Sequence, residues 1–440
     1  MDVQELRQIR RALNRFVSKF DDCIKTKPTR AHLRTYVTGQ LGSLERKSVE
    51  PIALEAGVPP RTLQQFLSEY QWDESAVGRR LRAWMKRKHG CPNAIGVIDE
   101  TSFAKKGTKT AGVQRQYCGC TGKTDNCVVT VHLGYVSPQF HALLDGDLYL
   151  PQSWAGDVDR RREAGIPDAV KFKPKWLIAL ELVQRSCAEG VPLRWITADE
   201  VYGRVGEFRD GVAAAGLRYV LEVPSNTMGW TRPPRVEQAG TVAFSGHTLK
   251  QSRLLEGERS AREVSKLWLR GGPSWQMYQV KETEKGPVVW EVRQTQFLPS
   301  RDGVPCDEVR LLVAREVLTG EVKYFLAHAP AEVMTKEILT VAFSRWHIER
   351  LFEDGKGEVG FDHFEVRNYR SLRRHLVLTM LSLAFLADQT RELREKKLVV
   401  DRVPGPQGRG GATRPDAETV GEHPMLGEDG IQNRVLAAPG

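Results

Sequence analysis

The chain is short of the features that mark several protein classes. Cysteine numbers seven in 440 residues, an odd count spread thinly. A disulfide framework is therefore not expected, and reduced thiols in a cytoplasm are. Long apolar runs are missing too. The longest, residues 376–387, is twelve residues, against the roughly 20 that cross a bilayer. It reads as a buried helix, and no membrane association is expected. The opening "MDVQELRQIRRALNRF" has no apolar core, so no secretory leader is expected. Acidic charge is in deficit: 55 Asp and Glu against 65 Lys and Arg leave a net +10. That balance favours acidic partners, nucleic acid first among them.

What is present divides into segments. Residues 1–90 read as helical and basic, with 18 Lys and Arg against 10 Asp and Glu. Within them "EPIALEAGVPPRTLQQFLSEY" reads as helix, turn at Gly57, helix. That is compatible with a helix-turn-helix DNA reader and equally with a plain helical hairpin. Residues 91–223 alternate strand-like and helical runs, which implies an α/β layered core. Residues 224–334 carry short strand candidates, among them "TVAFSGHTL", "SKLWLRG" and a hairpin turning at "LTGE". This segment reads as a β-rich insert. Two helices follow, over about 335–359 and 369–397. The tail 401–440 holds eight Gly and five Pro and is expected to be disordered, having too little apolar surface to offset its ordering entropy. The tightest cysteine group is Cys118, Cys120 and Cys127. Its one-residue first gap and lack of a nearby fourth ligand disfavour zinc, so small buried strand residues are expected there.

Three carboxylates carry the chemical signal. Asp99 follows the apolar run "AIGVI" and Asp199 follows "WIT", so both are expected at or near the ends of buried strands. An acid there is expensive unless it faces a cleft, a partner or a metal. The third lies in "SRWHIERLFEDGKGEVG". Read as a helix, it places Arg345, Glu349 and Lys356 within about 40° of one another. An i,i+4 ion pair on a wet face would also explain Arg345 and Glu349, and Gly355 and Gly357 weaken the expectation of a straight helix to Lys356. Three carboxylates on two strands and a helix can hold two divalent cations, and oxygen ligands suit Mg²⁺ or Mn²⁺.

These stretches resemble a known family. "GVIDETSFAKKG" and "ITADEVYG" are similar to the two aspartate strands of bacterial insertion-sequence transposases of the DDE class. "RWHIE", followed by Lys356, resembles the Y-R-E-K signature of one branch, with Ala342 in place of its tyrosine. The resemblance covers roughly residues 91–400. It implies an RNase-H-like mixed sheet flanked by helices and interrupted by the insert, behind an α-helical N-terminal domain. It implies Asp99, Asp199 and Glu349 as catalytic ligands of two Mg²⁺ or Mn²⁺ ions, with Arg345 and Lys356 on DNA phosphate. The implied partners are element ends and target DNA, bound by a homodimer, and the implied activity is cleavage followed by strand transfer. An RNase-H-like nuclease without strand transfer, or a domesticated DNA-binding regulatory protein, are the alternatives.

Overall fold

The computed structural model describes residues 3–241, 248–268, 271–283 and 286–402. The basic N-terminal segment forms α1 (Val3–Val17), α2 (Lys27–Leu41), α3 (Val49–Glu55), α4 (Pro60–Ser68) and α5 (Glu74–His89). Local chemistry sets their limits. Asp73 caps α5 by accepting from the Ser75 amide at 2.8 Å. Gly57 takes φ 66° between α3 and α4, a conformation that favours glycine, and Pro60 opens α4.

The core begins with β1 (Ile95–Ala104), β2 (Gln114–Cys118), β3 (Lys123–Ser137) and β4 (Phe140–Leu148). Two short helices follow, α6 (Gln152–Ala155) and α7 (Val158–Glu163), which the apolar pattern does not signal. Then come α8 (Lys175–Ala188), β5 (Trp195–Ala198), α9 (Glu200–Gly203), α10 (Gly206–Ala214) and β6 (Arg218–Val223). Residues 224–334 contribute β7 (Met228–Trp230), β8 (Val236–Glu237), β9 (Arg253–Leu254), β10 (Arg262–Glu263), β11 (Gln276–Thr283), β12 (Gly286–Arg301), β13 (Val304–Pro305), β14 (Val309–Glu316) and β15 (Val322–His328). The hairpin at "LTGE" joins β14 to β15, with Gly320 at φ 74°. The candidate "SKLWLRG" is not a strand where it is described: Val264–Lys266 is a 3-10 turn. Most of "TVAFSGHTL" lies outside the described residues. The chain closes with α11 (Thr335–Phe343), α12 (Trp346–Val359) and α13 (Tyr369–Arg402). From residue 403 onward the tail expectation falls outside the described residues.

Among the described residues, thirteen strands join into one mixed sheet. Its central order is β4-β3-β1-β5-β6, with β1, β5 and β6 parallel and β3 antiparallel to β1 and to β4. β15 continues it antiparallel to β6, so the strands of 224–334 extend the sheet, except β8 and β9, which pair with each other apart from it. β3 is buried from Cys127 to Ser137, and β1 over Gly96–Ile98 and Thr101–Phe103, so both faces of this part of the sheet are covered.

The apolar run 376–387 lies in the middle of α13, which packs against β4 and against α2, α4 and α5. Its polar residues explain how charge survives in that interface. Arg374 is 2% exposed and donates to the carbonyls of Phe66, Leu67 and Trp72. Two of those carbonyls belong to the last turn of α4, which lacks intrahelical partners for them. Gln40 of α2, fully buried, donates to Thr379 at 2.9 Å and accepts from Ser382 at 2.8 Å. No helix among the described residues is long and apolar enough to cross a membrane.

Candidate active site

Asp99 lies within β1, which continues five residues beyond it to Ala104, so it does not end its strand. Asp199 directly follows β5 and caps α9, its Oδ1 accepting from the Val201 amide at 3.0 Å. The parallel β1–β5 register sets Ile98 opposite Ala198, so the two aspartates leave adjacent points of the sheet. α9 lies hard against β6: a Cβ on Gly203 would meet the Glu222 carbonyl oxygen at 1.9 Å.

The two aspartates oppose each other electrostatically. Burial and the Asp199 charge push the Asp99 carboxyl up to about 7, against the Glu100 amide and Arg345, which lower it. Burial and Glu100 raise Asp199 as well. The offsetting cation comes from α12. Arg345, at its N-terminus, places one guanidinium nitrogen 3.1 Å from Asp99 Oδ2 and another 2.6 Å from Glu349 Oε1. The i,i+4 ion pair expected from the sequence is therefore present, and its arginine also reaches the sheet. Burial disfavours the Arg345 charge, yet Glu349 and Asp99 outweigh it and hold the guanidinium above its usual value. Asp99 is mostly buried while Glu349 is half exposed. Among the described residues no three His, Cys, Asp or Glu side chains form a ready cation cage.

α12 runs unbroken through Gly355 and Gly357 to Gly360, which ends it at φ 69°. Gly355 is where the helix meets its neighbours: a Cβ there would lie 3.2 Å from Phe361 and 3.3 Å from Leu383. Lys356 does not join the acids. Its Nζ sits 5.9 Å from the Phe103 ring centroid. Glu353, 72% exposed, pairs with Arg350. Ala342 lies on a different helix, α11, buried with Trp290 and Phe325.

Two neighbours, Lys175 and Tyr202, are not signalled by the sequence, and both act on Glu100. Glu100 accepts from the Tyr202 hydroxyl at 3.0 Å and pairs with Lys175 of α8. Tyr202 is fully buried, and burial together with Glu100, Asp99 and Asp199 raises its hydroxyl well above the ordinary value. The adjacency of Glu100 to Asp99 was visible, but Lys175 and Tyr202 reach it through the fold, with no spacing to announce them.

The comparisons with known proteins meet this geometry. Residues 19–287 match the family model of the DDE superfamily endonuclease, more than half of the chain and including Asp99 and Asp199 but not α12. A probable transposase for insertion sequence element IS701 from Microchaete diplosiphon is 33% identical over 193 residues, 43% of this chain and 47% of that protein. The chain thus spans about half the length of that curated relative. A match over most of the helical segment and the two aspartate strands identifies this chain as a member of the DDE superfamily endonuclease family.

Proposed function

We propose that the protein is an insertion-sequence transposase that binds the ends of its element, cleaves DNA phosphodiester bonds and joins the freed 3′ hydroxyl to target DNA. One observation carries this reading: Asp99 and Asp199, from parallel neighbouring strands, share a buried site closed by Arg345 and Glu349 of α12. The order β4-β3-β1-β5-β6, three antiparallel strands followed by two parallel to the first, supports an RNase-H-like core.

The donor set fits a hard divalent cation. It offers oxygen ligands only, and burial together with a neighbouring acid, Asp199 for Asp99 and Glu100 for Asp199, disfavours the charge of both aspartates, which a cation would restore. Asp99, Asp199 and Glu349 would hold two Mg²⁺ or Mn²⁺ ions, which supply an activated water and charge neutralisation at the leaving oxygen. Arg345 orients Glu349 against the sheet and presents a guanidinium suited to phosphate. Lys175 and Tyr202 hold Glu100 in place beside the aspartates. Lys356, further along the same helix face, contacts DNA phosphate, while the basic helices of 1–90 and the strands of 224–334 grip the ends. Two ends must be held together for strand transfer, so the working form on DNA is a homodimer.

The test uses full-length protein, duplexes carrying the terminal repeats that flank its gene, and Mg²⁺ or Mn²⁺. Cleavage and joining are expected, with both lost in Asp199→Asn while end binding persists. Full cleavage in EDTA would overturn the metal assignment. Cleavage without joining of a pre-cut end points to a plain nuclease, and binding without cleavage by wild type points to a regulatory protein.

A further inference from the structure

The three neighbouring cysteines take no part in the site above. β2 ends at Cys118, which pairs with Lys123 at the start of β3. The four-residue turn between them carries Cys120 and ends at Gly122, with φ 66°. The Cys118 carbonyl accepts from the Thr121 and Gly122 amides at 3.0 and 2.9 Å. Ser102, on β1, accepts from the Cys120 amide at 3.2 Å. So braced, the turn sets Cys120 Sγ 3.1 Å from Cys118 Sγ. Cys118 and Cys127 are buried, whereas Cys120 is exposed. The expectation of three small buried strand residues therefore fails at Cys120, which occupies a turn.

We propose that Cys118 and Cys120 form a redox-sensitive dithiol that closes to a disulfide when a peroxide reaches the exposed sulfur. The reaction balances as a two-electron oxidation. One S–S bond forms; the two S–H bonds and the O–O bond of the peroxide break; with hydrogen peroxide the products are the disulfide and two waters. Closing requires the sulfurs to move from 3.1 Å to about 2 Å, and glycines on both sides of the turn sequence leave it free to adjust. Cys120 meets the peroxide through its exposure, although burial and Cys118 raise its thiol, and the Cys118 thiolate then attacks the oxidised Cys120 sulfur, with water leaving. Burial raises the Cys118 thiol, but hydrogen bonds with Ser102, Cys120, Thr121 and Cys127 bring it below its ordinary value. Burial and the Cys118 charge push Cys127 up to about 12, which keeps it protonated. The surface position of Cys120 and the inert Cys127 thus select one pairing among three.

Peptide mapping tests this. Full-length protein is treated with hydrogen peroxide, its remaining thiols are alkylated in denaturant, and it is digested with trypsin. Cleavage after Arg115 and Lys123 releases residues 116–123 with both cysteines in one peptide. That peptide should be unalkylated and lighter by two hydrogen atoms, and dithiothreitol before alkylation should return it to the doubly alkylated form. Cys127 should be alkylated throughout. In Cys120→Ser, an exposed and mild change, Cys118 should stay alkylatable after peroxide. A cross-link from 116–123 to the Cys127 peptide, overoxidation of Cys120 beside an alkylated Cys118, or no protection at either residue overturns the proposal.

Discussion

Gln40 offers a sharp test of how the N-terminal helices are joined to the core. Its amide lies between α2 and α13, fully buried, with Nε2 donating to Thr379 and Oε1 accepting from Ser382. Thr379 has a second use for its hydroxyl, since it donates to the His375 carbonyl at 2.9 Å. Ser382 has no such alternative among its bonds, so Gln40→Leu strands a buried donor. An orphaned hydroxyl costs about 1–3 kcal/mol, and the lost acceptance by Thr379 adds about 1 kcal/mol. The leucine recovers part of this by burying apolar surface, which leaves a net destabilisation of roughly 2 kcal/mol. Ser382→Ala alone frees the Gln40 oxygen and should cost about 1 kcal/mol. The double variant removes both ends of the bond together, so it should be less harmful than the sum of the singles by about 1 kcal/mol. Urea unfolding of all four proteins, followed by tryptophan fluorescence, gives the cycle. Strict additivity would refute the claim that this amide is a specific joint, and so would an unchanged midpoint in Gln40→Leu.

Glu349→Gln should abolish cleavage and spare end binding, while Glu353→Gln, on an exposed side chain paired with Arg350, should be mild; the reverse pattern in a cleavage assay would mean the third acid is misassigned. Burial holds the His375 ring down to about 4. The unfolded chain therefore binds more protons between about pH 6.5 and 4, and stability should fall by about 3 kcal/mol as pH drops through that window. His375→Gln should flatten that part of the urea-midpoint profile, leaving the portion due to His132, which burial lowers to about 3. Replacing the exposed Arg7, Arg10 and Arg11 of α1 by Gln should weaken end binding and reduce its salt slope without disturbing the core, because residues 1–90 hold most of the excess positive charge and neutralised phosphates release counterions; titrations at several salt concentrations measure the slope.

How much was legible in the sequence varies with the range of the interaction. The Gly57 turn, the start of α4 at Pro60, the strand runs of 91–223 and the "LTGE" hairpin follow from local rules, because a residue's own backbone preference decides them. The strand candidate starting at Ser265 is not a strand over residues 265–268, for the same reason that short apolar runs are ambiguous: without periodicity over a longer window, tertiary packing decides. Lys175 and Tyr202 were out of reach altogether, since each meets Glu100 across a long sequence separation.

α12 shows how the two kinds of information combine. Two glycines argued locally for a break, at about 1 kcal/mol each relative to alanine. Packing overrides them: Ile348, Leu351, Phe352 and Val359 are buried on one face, and the lack of a side chain at Gly355 is what admits Phe361 and Leu383. A helix held so firmly fixes its first residue as well. Arg345 is thereby held between Glu349, one turn along its own helix, and Asp99 on the sheet. Moving the helix by one residue would rotate that guanidinium by about 100°, away from the aspartate. The packing glycine and the charged stripe are therefore one constraint. Gly355→Leu should uncouple them: its bulk meets Phe361 and Leu383, so α12 must shift or the core must open, and the Arg345–Asp99 contact is lost with either. A structure of that variant with the contact intact would refute this coupling.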